Sequence, residues 1–332
     1  MDEYTRRTKI WLDRRFRQTC SDGIYYAHQP IYGFRKGHSE PQLLRRYSLT
    51  YKIMKALSHI EFDSLLDVGG AEGYKAYILQ RIFGVIVRNC DLSEEACKRA
   101  MEIFHIKSDP ADIQELPYQD GEFDVALCSE TLEHVANLEK AIDELLRVCK
   151  KAIVITVPHE NKESVEKNIK QNIPHAHIHN FSLGSFDFLK SIGYEVFQKK
   201  VNSSLLKLVF FLIDAQHKEY RRETGYAKFL VDMYNICVPF FKITCGRRIA
   251  ALIIRLDDFV CRLPRFPHDA VLFIILKDRR YYREKEIQKI SATQTITFSV
   301  PYYYLQTKGI KADVNLKDEK TTKSHRNSSQ LE

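Results

Sequence analysis

A cluster of glycines follows a short apolar run and could bring the main chain close to a bound ligand. The stretch SLLDVGGAEGYKAYIL contains Asp67, Gly69, Gly70 and Gly73, and it continues with helical spacing. Glycine permits positive φ angles and lets a ligand approach the backbone closely. In α/β sheets, ligands bind outside the carboxyl ends of the strands, where such turns lie. A glycine-rich turn is weak evidence alone, because many strand-to-helix turns contain one.

Two further acidic residues lie where a nucleoside ligand would need them. Asp91 ends the second apolar run, 24 residues after Asp67, and a carboxylate there can accept both hydroxyl protons of a ribose. Asp112 lies in a loop after the third predicted strand, where a side-chain oxygen could accept an adenine amino proton. Ser129 ends the fourth predicted strand, which faces the reactive end of such a ligand.

Residues that could carry out chemistry follow the fourth and fifth predicted strands. Glu130 and His134 are four residues apart, so they share one face of a helix that also contains Glu133. We predict Glu130 and His134 as candidate catalytic residues. A general base would be needed only if the reacting group of the substrate carries a proton that must be removed. The loop after the fifth strand contains His175, His177 and His179. Both loops open at the carboxyl edge of the sheet, so the residues after the fourth strand and the histidines after the fifth could meet over a bound substrate.

Apolar periodicity predicts the elements that position these residues. Short apolar runs alternate with helices, which indicates βαβ units and a parallel sheet covered on both faces. The first two predicted strands are Phe62–Val68 and Val85–Cys90, and the third is a short one before Asp112. The fourth and fifth are Phe123–Cys128 and Ala152–Val157, followed by Tyr194–Val201 and Ala270–Leu276. The predicted helices include Tyr74–Phe83, Glu94–Phe104, Leu138–Cys149 and Ser182–Ser191.

Four motifs occur in a fixed order: Asp-Val-Gly-Gly-Ala-Glu-Gly, Asp-Leu-Ser, Asp-Ile-x-x-Leu-Pro and Phe-Asp-Val-x-x-x-x-Glu-Thr-Leu-Glu-His. This combination resembles the class I methyltransferases that depend on S-adenosyl-L-methionine (SAM), of the type 11/23 kind, over roughly residues 49–200 and 270–276. The resemblance implies an α/β fold, with a Rossmann-like, doubly wound, seven-stranded and mainly parallel sheet. Its last strand would be antiparallel, a role that Ala270–Leu276 fills, with a helical insertion before it.

The resemblance also implies SAM as the cofactor. The predicted cofactor-binding residues are Asp67, Gly69, Gly70, Gly73, Asp91, Leu92, Asp112, Ile113 and Ser129. Within this set, Asp67, Gly69 and Gly73 would flank the methionine moiety, Asp91 the ribose, and Asp112 with Ile113 the adenine. Ala71 departs from the family pattern, which more often has glycine, and we expect binding to survive because alanine is small. An NAD site is disfavoured because the glycine spacing is not Gly-x-Gly-x-x-Gly.

The Glu-x-x-Glu-His motif allows two interpretations. A divalent metal could be held by Glu130, Glu133, His134 and His179, since mixed carboxylate and imidazole ligands suit such an ion. That arrangement resembles the small-RNA 3′-terminal ribose 2′-O-methyltransferases. In the other interpretation the motif is simply frequent across methyltransferases without metal. We favour the second and predict no metal, while RNA as the acceptor stays open as an alternative.

The chain divides into three predicted parts. Residues 1–48 form a helical or irregular extension, 49–278 the methyltransferase domain, and 279–332 a polar and largely disordered tail. Residues 203–265 interrupt the βα rhythm and predict a helical insertion that roofs the acceptor site. The acceptor itself is not specified, and a small-molecule, glycan or lipid-linked hydroxyl is the default. A domain that binds SAM without catalysis, as a scaffold, is the alternative from another functional class.

Charge and cysteine content suggest where the protein works. The formal net charge is +8, and residues 201–280 hold 14 lysines and arginines against 8 acidic residues. Such a basic region predicts either a peripheral contact with an anionic membrane surface through residues 203–265 or merely a solvated helix face. The eight cysteines form no Cys-x-x-Cys pair, and the first residues contain no apolar leader. We therefore expect a cytoplasmic protein, with a membrane-peripheral location as the variant.

Overall fold

The computed structural model describes residues 1–18, 27–31, 43–206 and 226–297 of the chain. The strands are β1 Ser64–Val68, β2 Ile86–Asp91, β3 Ser108–Pro110, β4 Phe123–Ser129, β5 Cys149–Pro158, β6 Glu195–Ser203 and β7 His268–Leu276. The α-helices are α1 Glu3–Arg17, α2 Leu43–Leu57, α3 Tyr74–Phe83, α4 Glu94–Phe104, α5 Leu138–Val148, α6 Lys162–Gln171, α7 Tyr226–Val260 and α8 Ala292–Thr297. Short 3₁₀ turns cover Leu132–His134, Asp187–Ile192 and Arg279–Tyr281.

The strands form one seven-stranded sheet in the order β3-β2-β1-β4-β5-β7-β6. The neighbours from β3 to β5 are parallel, whereas β7 runs antiparallel between β5 and β6. This topology confirms the predicted mainly parallel sheet with an antiparallel last strand. The winding reverses between β1 and β4, so the loops after these two strands diverge and leave a crevice between them.

Alternating side chains of the central strands enter two apolar clusters, one on each face of the sheet. Leu65 and Leu127 belong to the cluster that also contains residues of α2, α3, α7 and α8. Leu66 and Ala126 belong to the cluster on the other face, which α5 covers. Since both faces are covered, the central strands are apolar throughout, as the sequence pattern predicts.

One predicted helix is wrong. Residues 182–191 do not form a regular α-helix, and the only helical turn in this part of the described chain is the 3₁₀ segment Asp187–Ile192. Gly184 has a φ of 90°, which no right-handed helix accommodates. The apolar spacing that suggested a helix instead buries Phe181, Phe186 and Leu189 against the sheet.

The predicted domain boundary between residues 48 and 49 falls inside helix α2. This helix buries Leu44, Tyr47 and Met54 in the core of the sheet domain, so it belongs to that domain. The predicted tail also begins too early. Residues 279–297 pack against the sheet domain, and Ile290 and Ile296 are buried in the same cluster. The predicted disorder of residues 298–332 lies outside the described residues.

Helix α7 represents the predicted insertion, of which residues 207–225 lie outside the described ranges. Asp257 on this helix is completely buried and forms an ion pair with Lys52 of α2. The same carboxylate accepts hydrogen bonds from the Ser48 hydroxyl at 2.9 Å and from the Ser203 amide at 2.9 Å. A buried polar network therefore holds α7 against α2 and β6. No described helix is both long enough and apolar enough to cross a membrane.

Candidate active site

The turn after β1 requires its glycines for steric reasons. Gly69 has a φ of 70°, and a Cβ atom there would overlap the Thr131 side chain after β4. At Gly70 a Cβ atom would overlap the carboxamide of Asn89 on β2. The amides of both glycines donate to the carbonyl of Cys90, at 2.8 and 3.1 Å. Close contact among three strand ends explains the glycine-rich motif.

A cavity of about 510 Å³ opens at the carboxyl edge of the sheet, beside this turn. It is lined by most of the predicted cofactor residues, namely Gly69, Asp91, Leu92, Asp112, Ile113 and Ser129, and by the catalytic candidates Glu130 and His134. Three predicted residues are absent from its wall: Asp67, Gly70 and Gly73. Asp67 lies within β1 and is only 1% exposed, whereas Gly70 and Gly73 belong to the turn between β1 and α3.

Asp91 connects the turn to the cavity. Its Oδ2 atom accepts a hydrogen bond from the Ala71 amide at 2.9 Å, and its Oδ1 atom accepts one from the Ser93 amide at 2.9 Å. Burial raises the pKa of this carboxyl to about 6, and burial also raises the pKa of Asp67 to about 6. Each Asp91 oxygen keeps a second lone pair for a ribose hydroxyl.

Leu92, Ala111 and Ile113 provide apolar surface in the same cavity wall, where Asp112 also lies. The Asp112 carboxylate accepts from the Gln114 amide at 2.9 Å, and the Gln114 carboxamide donates to the Thr5 hydroxyl at 3.2 Å. An apolar wall with one acidic residue suits an adenine ring and its amino group. The residues in this half of the cavity therefore fit an adenosine-containing cofactor.

Helix α1 covers this half of the cavity, which the sequence interpretation missed. Its residues Thr5, Thr8, Trp11, Leu12 and Phe16 line the wall. Leu12 and Phe16 pack against Ala71 and Ala96, and Asp13 accepts a hydrogen bond of 2.6 Å from the Ser93 hydroxyl. The signal was present in the helical spacing of the residues at 5, 8, 12 and 16, which form one buried face.

Glu130 begins the other half of the cavity. Its backbone has a φ of 57°, and Ala71 and His175, which also line the cavity, have φ values of 47° and 56°. Non-glycine residues with positive φ are uncommon and concentrate at functional sites. The Glu130 Oε1 atom is buried and accepts no hydrogen bond from the described residues, while its Oε2 atom lies 3.8 Å from the Arg45 guanidinium.

The imidazole of His134 has a defined tautomer. Its Nδ1 atom lies 3.1 Å from the carbonyl oxygen of Ala176. A carbonyl oxygen only accepts, so Nδ1 carries the hydrogen and Nε2 keeps a free lone pair. Burial lowers the pKa of His134 well below its ordinary value, with smaller contributions from His175 and His177. The ring is therefore neutral near pH 7.

His134, which follows β4, lies beside the histidines of the loop after β5, as the predicted topology suggested. The rings of His134 and His175 stack with centroids 3.8 Å apart, and Trp11 also stacks with His175 at 4.9 Å. His177 lies edge-on to His134 at 4.8 Å, and its Nδ1 atom is 2.9 Å from a Glu160 carboxylate oxygen. We call Glu130, His134, His175 and His177 the acceptor cluster.

The group of residues that could hold a metal differs from the predicted one, because it lacks Glu130 and contains His177 in place of His179. His179 is not part of the cluster, because its Nε2 atom makes a 2.7 Å hydrogen bond with the carbonyl of Val135. Within the described chain, Glu133, His134 and His177 place one ligand atom each within 4.8 Å of one another. Burial, and next the neighbouring Glu130, raise the pKa of Glu133 well above its ordinary value.

The predicted roof is not found in the described part of the insertion. No described residue of 203–206 or 226–260 lines the cavity, whereas α2 contributes Arg45, Arg46, Leu49 and Thr50. Helices α1 and α2 thus form the walls that the sequence interpretation assigned to residues 203–265. Arg45 and Arg46 carried no motif that could have identified them.

The fold and the cavity define a class of protein. The strand order, the glycine-rich turn after β1 and the acidic residue at the end of β2 are those of a class I SAM-dependent methyltransferase domain. Residues 66–156 match the family model described as a methyltransferase domain. This part of the chain is therefore a class I SAM-dependent methyltransferase domain, with SAM as its cofactor.

Several known proteins are similar to this chain. Norajmaline N-methyltransferase of Rauvolfia serpentina is 29% identical over 117 residues, which are 32% of this chain and 40% of that protein. The chloroplastic tocopherol O-methyltransferase of Arabidopsis thaliana is 26% identical over 180 residues, half of each chain. Phosphoethanolamine N-methyltransferase 2 of Haemonchus contortus, solved with SAM, is 20% identical with a TM-score of 0.46, covering 69% of this chain and 52% of the other. The chain thus spans half or less of the length of these two curated relatives.

Proposed function

We propose that this protein transfers a methyl group from SAM to a hydroxyl group of an acceptor bound at the acceptor cluster. The observation that supports this function is a single cavity lined both by Gly69, Asp91 and Asp112 and by Glu130 and His134. Donor and acceptor would therefore share one cavity. Alignment of the reacting groups supplies much of the acceleration in such a displacement.

SAM supplies an electrophilic methyl group when it is bound. The chain must then orient the acceptor oxygen and accept its proton. The Nε2 atom of His134 is suited to that step, because its lone pair is free and the ring is neutral. The buried Oε1 atom of Glu130 is available to accept a hydrogen bond from the acceptor hydroxyl. A hydroxyl acceptor requires such a base, whereas a neutral amine does not.

The test is methyl transfer from radiolabelled SAM to a panel of hydroxyl, amine and thiol acceptors, including glycans and lipid-linked glycans. We expect label in hydroxyl-bearing acceptors, lost in Glu130→Gln and in Asp91→Asn. Label confined to amines would contradict the hydroxyl assignment. SAM binding without turnover on any acceptor would support a scaffold instead, and turnover on RNA ends alone would support the ribose alternative.

We also propose that the protein works in the cytoplasm. Support comes from the cysteines of the described chain, since Cys90, Cys97, Cys128, Cys149 and Cys261 are all buried free thiols. Free thiols are typical of a reducing compartment.

A further inference from the structure

The C-terminal half of helix α7 has two faces of different character. Ala250, Ile253, Ile254 and Asp257 point into the protein and are buried. Asp257 fixes this rotation through its ion pair with Lys52 and its hydrogen bonds to Ser48 and Ser203. The outward face is therefore determined by the core and cannot turn inward without breaking the buried network.

The outward face is apolar. Leu252, Leu256 and Phe259 are 66%, 48% and 60% exposed, and Leu263, just past the helix end, is 40% exposed. The separations of four and three residues place Leu252, Leu256 and Phe259 in one stripe along the helix, and Leu263 follows beyond its end. Isolated exposed leucines are ordinary, but a contiguous stripe of large apolar side chains marks an interaction site.

A row of cations borders the stripe on one side. Arg248 and Arg255 are exposed and seven residues apart, so they share a neighbouring helical face, and the exposed Arg262 follows just past the helix end. Arg248 and Arg255 form no ion pair with the described residues, while Arg262 pairs with Asp258 at 2.9 Å. At the end of the stripe, the Lys200 ammonium donates to the Leu263 carbonyl at 3.3 Å.

We propose that this face of α7 docks on an anionic lipid bilayer. The apolar stripe would enter the boundary between headgroups and acyl chains, and the arginine row would lie at the level of the lipid phosphates. An apolar stripe beside a basic row fits a bilayer, which presents both kinds of surface in parallel layers. The contact is peripheral, because α7 is held to the core by its other face.

The experiment is co-sedimentation of the full chain with vesicles of phosphatidylcholine and phosphatidylglycerol, compared with phosphatidylcholine alone. We expect binding to the anionic vesicles that weakens with salt. The partition coefficient should fall about tenfold or more in Arg248→Glu/Arg255→Glu and likewise in Leu252→Ser/Phe259→Ser. The matched control is Phe188→Ser/Ile192→Ser, which removes two exposed apolar side chains elsewhere on the chain. Circular dichroism and product binding should be unchanged in every variant, since only exposed side chains are altered.

Several outcomes would overturn the proposal. One is the same vesicle binding in wild type and in both α7 variants. Another is no vesicle binding by the wild-type chain. A third is a wild-type dimer in light scattering that Leu252→Ser/Phe259→Ser dissociates, which would make the stripe a contact between two copies. Vesicle binding is measured without an acceptor, so its outcome is independent of the methyl transfer proposed above.

Discussion

The Asp91 carboxylate accepts a 2.9 Å hydrogen bond from the Ala71 amide while facing the cofactor half of the cavity. One side chain therefore both holds the turn after β1, in which Ala71 has a positive φ, and lines the cavity at the position predicted for the ribose. This hydrogen bond helps to hold Ala71 in its positive-φ conformation.

Asp91→Asn should weaken the binding of SAM and of its demethylated product. Losing charge-assisted hydrogen bonds to a ribose costs about 1.5–3 kcal/mol, or roughly 10- to 150-fold in affinity. Calorimetry provides the measurement, with the exposed Asp143→Asn on α5 as the control. Unchanged affinity in Asp91→Asn would remove the ribose contact from this residue.

Binding of the demethylated product should depend on pH below neutrality. Burial raises the pKa of Asp91 to about 6 in the free protein, and ribose hydroxyls favour the ionised form. Affinity should therefore rise as the pH rises through 6 and level off above about pH 7, with a loss of about tenfold at pH 5. This dependence of product affinity on pH should disappear in Asp91→Asn. A slope that persists in that variant would assign the effect to another group, such as Asp67.

His134→Ala should slow methyl transfer while leaving product affinity within about twofold. Removing a positioned general base costs about 10²- to 10⁴-fold in rate. Turnover at saturating SAM and acceptor provides the measurement, and His59→Ala is the control because His59 contacts the Arg283 carbonyl, away from the cavity wall. A turnover equal to that of the wild type would show that the acceptor needs no base from His134.

We predict that the purified protein holds no stoichiometric metal. The group formed by Glu133, His134 and His177 offers three ligands, whereas a closed structural zinc site has four. Elemental analysis checks this prediction. One equivalent of a divalent ion, lost in Glu133→Gln/His177→Asn and kept in His179→Ala, would reverse it and would favour the RNA ribose alternative.

Asp257→Asn should destabilise the fold strongly. Lys52 would then be a buried ammonium without its carboxylate, a change that costs about 3–5 kcal/mol. Urea unfolding provides the measurement, with Glu3→Gln in the exposed pair with Arg6 as the control, worth at most about 1 kcal/mol. A loss below about 1 kcal/mol in Asp257→Asn would show that the network does not anchor α7.

The amino-acid sequence by itself determined the sheet and the cofactor half of the site. Apolar runs of strand length, the spacing of the glycines after β1 and an acidic residue ending β2 are local patterns of the sequence. Local patterns survive folding because each depends on residues adjacent in the chain. For the same reason helices α3 and α4 have the predicted bounds. Residues 182–191 do not form the predicted helix, because Gly184 has a positive φ that interrupts the helical pattern.

Only the tertiary structure decided what covers the cavity and what surrounds the acceptor. The contact of Phe16 with Ala71 and the stacking of Trp11 on His175 join residues far apart in sequence, and no local motif specifies them. The outward stripe of α7 is likewise visible only once Asp257 is seen bonded to Lys52, because that buried pair sets which side of the helix faces solvent. Such pairings depend on how separate elements pack, and packing is a property of the whole chain.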